Sequence, residues 1–114
     1  MKPGIYNFTI YQGATFSRQI LIKKDGDPMP LEGYKARMQI RDYNTKALIF
    51  ELTTDKGNLP LDESTSRIDI LMSSVDTESF NFKKAKYNIE LYSGITVIRI
   101  LQGDITLDRD VNIQ

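Results

Sequence analysis

The sequence predicts an all-β fold, an immunoglobulin-like antiparallel β-sandwich of about seven to eight strands with one short helical turn near 74-80. Two observations predict the strands. Apolar and polar residues alternate with a period of two along most of the chain, and Gly, Pro, Asn and Asp separate the alternating segments. The clearest segment runs from Tyr34 to Arg41, where Tyr34, Ala36, Met38 and Ile40 share one face of a strand.

Three further segments in the first half of the chain show the same alternation. Their apolar positions are Tyr6, Phe8 and Ile10; Phe16, Ile20 and Ile22; and Leu48, Phe50 and Leu52. Arg18 breaks the second of these patterns, because it occupies a position on the apolar side. Asp25-Gly26 and Lys56-Gly57-Asn58 supply turn residues between the strands.

The second half of the chain predicts three more strands and the helical turn. The strands are marked by Ile68, Ile70 and Met72; by Tyr87, Ile89 and Leu91; and by Thr96 to Leu107. Gly103 interrupts the last segment, where we expect a β-bulge or a change of pairing partner. Between the first two strands, Ser73 to Phe80 has hydroxyl caps, then acids in a first turn and one apolar anchor. We expect a core containing Phe8, Phe16, Met38, Phe50, Ile70, Ile89 and Leu91.

Composition excludes several classes of chemistry. The 114 residues include no Cys, His or Trp, and 15 basic residues balance 15 acidic ones. Thiolate nucleophiles, His-based general acids and bases, and Cys-zinc sites are therefore excluded. A zero net charge argues against the strong basic field of most nucleic-acid binders. We expect one domain over 1-114, no enzymatic activity, no cofactor and no membrane span.

Two groups of acidic residues are candidate metal ligands. Asp25-Gly26-Asp27 begins like a calcium loop, but the later ligands of that pattern are absent, so a charged hairpin turn is the better interpretation. Asp104, Asp108 and Asp110 alternate beside Arg109, which is typical of a solvated edge strand. The sequence therefore predicts no metal site.

Several surface residues are candidates for a protein–protein interface. Tyr11 and Tyr92 fall on the outward phase of their strands. Two basic groups, Lys35, Arg37 and Arg41 on one strand face and Lys83-Lys84-Ala85-Lys86, suit a soluble, edge-protecting surface; the alternative is an acidic protein partner or DNA passing nearby. The arms Met1 to Asn7 and Asp108 to Gln114, with Asp108, Asp110 and Ile113, are further candidates for joining neighbouring proteins.

Four stretches of the chain carry a resemblance to a known class of proteins. They are Thr9–Phe16 (TIYQGATF), Pro30–Arg41 (PLEGYKARMQIR), Tyr87–Leu91 (YNIEL) and Arg99–Gly103 (RILQG). Together they resemble small β-sandwich virion structural proteins of tailed bacteriophages, and are similar to the N-terminal domain of lactococcal-type phage baseplate upper proteins. Those baseplate proteins continue into a long receptor-binding or helical portion, whereas this chain stops at Gln114, so a standalone collar, neck, tail or baseplate adaptor or decoration is expected.

The resemblance implies a structural and assembly role in a virion put together in the host cytoplasm. Its expected partners are portal or neck, tail or baseplate proteins and copies of itself in a ring, with no membrane and no sequence-specific nucleic acid. The alternative is a receptor- or carbohydrate-binding sandwich, which needs exposed aromatic rings converging with Asp, Asn or Gln in a groove.

Overall fold

The computed structural model describes residues 2–109, and in them eleven strands and one helix. The strands are β1 (Gly4–Ile5), β2 (Phe8–Tyr11), β3 (Phe16–Leu21), β4 (Lys23–Lys24), β5 (Asp27–Pro28), β6 (Lys35–Asp42), β7 (Leu48–Thr53), β8 (Leu61–Asp62), β9 (Arg67–Met72), β10 (Lys84–Ser93) and β11 (Thr96–Asp108). The helix is α1 (Ser74–Glu78), between β9 and β10. Seven of these strands have four or more residues, which agrees with the predicted number.

Two sheets enclose the core. Sheet A has the order β1-β11-β10-β6-β7, with β2 also paired to β11, and sheet B has the order β3-β9-β8. Strands β6, β10 and β11 correspond to strands C, F and G of an immunoglobulin-type sandwich, β3, β8 and β9 correspond to B, D and E, and β7 adds the C′ strand of the variable type. The predicted all-β, immunoglobulin-like class is therefore confirmed.

The predicted antiparallel character needs one correction. Strands β1 and β2 both pair with β11 in parallel, while β6, β7, β10 and β11 are antiparallel to their neighbours. Short turns force neighbouring strands to be antiparallel, but almost the whole chain separates β1 and β2 from β11. Tertiary packing therefore sets their direction, and alternation in the sequence carries no information about it.

The core lies between the two sheets. The ring of Phe8 in sheet A stacks on that of Phe16 in sheet B, with 4.9 Å between their centroids. Six of the seven predicted core residues are buried: Phe8, Phe16, Met38, Ile70, Ile89 and Leu91. This part of the prediction is confirmed.

Phe50 is the predicted core residue that is not fully buried. The register of β6 and β7 slips between Ile40, which faces Phe50, and Arg41, which faces Leu48, so Ile49 is an extra residue in β7. Such a β-bulge shifts the phase of the strand. Leu48 is consequently 50% exposed, and Phe50 is half-buried against the ring of Phe80 at 5.4 Å.

The predicted helical turn is confirmed. Ser73 caps α1: its side chain accepts a hydrogen bond from the backbone N–H of Asp76, and the Asp76 carboxylate accepts one from the backbone N–H of Ser73. Inside the helix, the buried hydroxyl of Thr77 donates to the carbonyl of Ala14 at 2.8 Å and accepts from the N–H of Gly13 at 3.0 Å. These bonds join α1 to the turn between β2 and β3.

Gly103 marks the predicted change of pairing partner. β11 pairs with β1 as far as Gln102 and with β2 from Ile105 onward. Residues 6 and 7 lie beside β11 between these two pairings, in the same parallel register, and a Cβ on Gly103 would collide with the backbone carbonyl of Tyr6 and lie 2.8 Å from the side-chain oxygen of Asn7. A residue without a side chain is therefore required here.

The same pairing places part of the predicted arm, Met1 to Asn7, within the sandwich. Gly4 and Ile5 form a strand, the N–H of Tyr6 donates to the carbonyl of Gln102 at 3.0 Å, and Asn7 accepts from the N–H of Asp104 at 2.8 Å. Residues 4–7 are thus part of sheet A. Their alternation is too short to show this in the sequence, because β1 has two residues.

Candidate interaction surfaces

The basic stripe on β6 is largely occupied by internal partners. Lys35 forms an ion pair with Asp55 at 3.0 Å and Arg37 one with Glu90 at 2.9 Å. Arg41 donates to the backbone carbonyl of Lys46 at 3.1 Å. The hydrogen bond and charge of Asp55 raise the pKa of Lys35 above its ordinary value. The stripe is therefore a partly neutralised surface on the outer face of sheet A.

A second basic group lies around Tyr43, in the turn between β6 and β7. The ammonium groups of Lys84 and Lys86 each lie 4.6 Å from the centroid of the Tyr43 ring, and that of Lys46 lies 5.4 Å away. Asp104 pairs with Lys86 at 3.2 Å and Lys84 at 3.6 Å. Lys84 and Lys86 of the predicted 83–86 cluster thus contact the ring of Tyr43. The sequence does not predict this contact, because Tyr43 lies in a turn outside the alternating pattern.

Backbone donors hold the turn that carries Tyr43. The carboxylate of Asp42 accepts hydrogen bonds of 2.9 Å from the N–H groups of Thr45 and Asn44. These bonds lower the pKa of Asp42 below its ordinary value. The charged form of Asp42 therefore stabilises the turn at neutral pH.

A polar groove of about 460 Å³ lies on the outer face of sheet A, beside the Tyr43 cluster. Side chains from β6, β10 and β11 line it together with Asn7 from the connection between β1 and β2; they include Gln39, Arg41, Asn88, Gln102 and Asp104. The ring of Tyr43 is flanked by lysines, and Tyr87 lies buried beneath the groove. The groove therefore offers many hydrogen-bonding groups and little exposed aromatic surface.

An apolar surface lies at the hairpin that joins β10 and β11. Ile95 is 101% exposed and Val97 50% exposed. We call residues 93–97 the hairpin tip. Tyr92, which faces Val97 across the ladder, is half-buried, and the Arg37 guanidinium lies 5.1 Å from its ring centroid. Ile95 is not among the predicted interface residues; its signal in the sequence is an aliphatic residue directly after the turn residues Ser93-Gly94.

The predicted interface residues do not form one site. Tyr11 is 60% exposed and pairs with Asp108 in the β2–β11 ladder. Tyr92 pairs with Val97, eleven residues before Asp108 on the same strand, which corresponds to about 35 Å. Tyr11 and Tyr92 thus lie toward opposite ends of the sandwich. Asp110 and Ile113 lie outside the described residues.

Comparison with known proteins adds no relative. No protein-family model matches the chain, and no curated protein matches it. Within residues 2–109, no group of three or more acidic residues is placed to hold a metal ion. Within the same residues, no helix is long and apolar enough to cross a membrane.

Proposed function

We propose that this protein is a non-enzymatic structural and assembly protein of a tailed-phage virion, an adaptor or decoration of the collar, neck, tail or baseplate. The observation that carries the proposal is the hairpin tip, where an isoleucine side chain is wholly exposed. Neighbouring exposed apolar side chains, here Ile95 and Val97, favour a protein–protein contact. The phage context rests on the resemblance of the four sequence stretches.

The position of the tip supports this role. β10 and β11 are the longest strands, and their ladder extends to the pair of Ser93 and Thr96 at the base of the turn. The tip is therefore presented by a rigid element. Burial of one aliphatic side chain against a partner contributes about 1.5–3 kcal/mol, so Ile95 with Val97 can contribute part of the free energy of a contact repeated in a ring.

The motifs of the resemblance have structural roles here. Gly13 adopts φ +84°, and its N–H bonds to Thr77 of α1. Gly33 adopts φ +83° in the turn where the N–H of Tyr34 donates to the carbonyl of Leu31 at 3.0 Å. These motifs therefore have roles in folding, and the proposed contact with other proteins is made by the hairpin tip, which lies outside them.

The proposal is tested on particles of the phage that encodes the chain. Mass spectrometry of purified particles is expected to detect the protein, and its absence from them would refute the virion role. Ile95→Asp is expected to leave the melting temperature within a few degrees and to lower incorporation at least tenfold. Val75→Asp is the matched control, because Val75 is 77% exposed on α1. Normal incorporation of Ile95→Asp would exclude the hairpin tip.

A receptor- or carbohydrate-binding role is the alternative, and the polar groove on sheet A supports it. Asn88, Gln102 and Asp104 provide amide and carboxylate groups that can form hydrogen bonds with the hydroxyls of a sugar. A glycan array probed with the purified protein tests this role. Binding to a defined glycan, abolished by Asn88→Ala and unchanged by Ile95→Asp, would favour the alternative.

A further inference from the structure

Strand β3 has a free edge. The N–H groups of Asp69 and Leu71 in β9 donate to the carbonyls of Pro60 and Asn58, on the side away from β3. The backbone groups of the residues between and beside them, Ile68, Ile70 and Met72, therefore face β3. By the register, Phe16, Arg18 and Ile20 are the β3 residues that face β9. The backbone N–H and C=O groups of Ser17, Gln19 and Leu21 therefore point to the other side, where no described strand pairs with them. Such an edge is a template for an added strand.

Arg18 lies at this edge without an acidic partner. Its guanidinium lies 4.8 Å from the centroid of the Phe16 ring, and its Nε is buried without a hydrogen-bond acceptor among the described residues. The ion pairs within residues 2–109 do not include it. A buried donor without a partner is costly, whereas a carboxylate at this position would satisfy it.

A cavity of about 310 Å³ lies beside the free edge. It is lined by Tyr6, Arg18, Gln19, Ile20, Leu21 and Leu101, so the walls are largely apolar around one cation. Leu21 is 60% exposed next to it. An occupant that fits this place is an extended segment with an acidic side chain on one face and aliphatic side chains on the other.

We propose that residues 110–114 of a neighbouring copy add to the β3 edge, with the carboxylate of Asp110 paired to Arg18. The sequence of this segment is Asp-Val-Asn-Ile-Gln. With a period of two, Asp110 and Asn112 share one face and Val111 and Ile113 the other, where they can cover Leu21. Pairing of two β3 edges with each other would supply no carboxylate.

The direction of β11 favours a neighbouring copy as the source of the segment. Leu101 lines the cavity, and Asp108 lies seven residues further along β11, about 23 Å away. β11 thus runs away from the cavity that its own Leu101 lines. The inference rests on the proposed assembly function and specifies how copies of the chain join, head to tail, which allows a closed ring.

Cysteine cross-linking in the full chain tests the contact, because the sequence contains no cysteine. Gln19→Cys is made in one preparation and Val111→Cys in another of different mass, and the two are mixed and oxidised. We expect a disulfide-linked heterodimer, formed at least tenfold more than with Glu32→Cys, an exposed control site, in place of Gln19→Cys. Equal yields with the two sites would overturn the proposal.

Sedimentation supplies a second test, which introduces no cysteine into the β3 edge. The wild-type chain is expected to sediment as an oligomer at tens of micromolar. Asp110→Asn and Arg18→Met are each expected to lower the association constant at least tenfold, so that more of the protein sediments as monomer. A monomeric wild type overturns the proposal. So does a disulfide formed within one chain of the Gln19→Cys/Val111→Cys double variant and absent from the mixture. Because these measurements use purified protein, their failure is separate from failure to find the protein in particles.

Discussion

The side-chain hydroxyl of Tyr87 donates a 2.6 Å hydrogen bond to the backbone carbonyl of Tyr6. This bond ties the middle strand β10 to residues 6 and 7, which lie beside β11 between β1 and β2. The ring of Phe8 packs between them, with centroids 5.1 Å from Tyr87 and 5.7 Å from Tyr6. The first residues of the chain are thus held by a side chain more than eighty positions later.

Replacement of Tyr87 tests this connection. Tyr87→Phe keeps the ring in place but leaves the Tyr6 carbonyl without its donor, so a loss of about 1 kcal/mol in the free energy of unfolding is expected. Urea denaturation at pH 7 measures it. No change in stability would show that water replaces the hydroxyl at this position.

The stability should also depend on pH through Tyr87. Burial raises the pKa of Tyr87 above its ordinary value, so the folded state favours the protonated phenol. This contribution is fully present below the unfolded pKa of about 10 and is lost as pH rises above it, because the unfolded chain then releases the proton first. Urea melts between pH 8 and about 11 should show a steeper loss for the wild type than for Tyr87→Phe. Parallel curves would refute the assignment to Tyr87.

Gly103→Ala should destabilise the protein by about 1–3 kcal/mol, because the added methyl group collides with the backbone of Tyr6. Gly57→Ala is the control. Gly57 adopts φ +87° with nothing within 4 Å of a Cβ, so it tests backbone strain alone. Thermal unfolding compares the two variants. A smaller loss for Gly103→Ala than for Gly57→Ala would mean that residues 6 and 7 move aside at little cost.

Thr77→Val should cost about 1–3 kcal/mol in the free energy of unfolding, since it removes two buried hydrogen bonds to the 12–15 turn while keeping the shape of the side chain. Thr106→Val, at an exposed position of β11, is the matched control and should change stability little. Equal effects of the two changes would contradict a structural role for the Thr77 hydroxyl.

The bulge in β7 predicts unequal costs for two neighbouring truncations. Leu52 is fully buried, and Leu52→Ala should cost about 2–5 kcal/mol. Phe50 is half-buried, so Phe50→Ala should cost about 1–2 kcal/mol, less than a core phenylalanine would. Chemical denaturation of both variants checks the order. A larger loss for Phe50→Ala would place that ring in the core.

Much of the local structure was predictable. Period-two alternation placed Met38, Ile89 and Leu91 in the core, and Ser73 with the following acids placed the helix, because these signals depend on residues within one strand or one turn. The candidate surfaces were less predictable. The exposure of Tyr11 was predictable from its outward position in the alternating pattern of its strand. Its distance from Tyr92 was not, because that distance depends on which strands pair.

The amino-acid sequence by itself determined the all-β class, the core face of most strands and the capped helix. The tertiary structure alone decided the parallel pairing of β1 and β2, the ion pairs that occupy Lys35 and Arg37, and the isolation of Arg18 at a free edge. The physical reason is the separation along the chain of the residues that interact. Alternation and capping act between residues a few positions apart, but strand direction and charge pairing depend on contacts between segments that are distant in the chain, whose energies are set when the two sheets pack together.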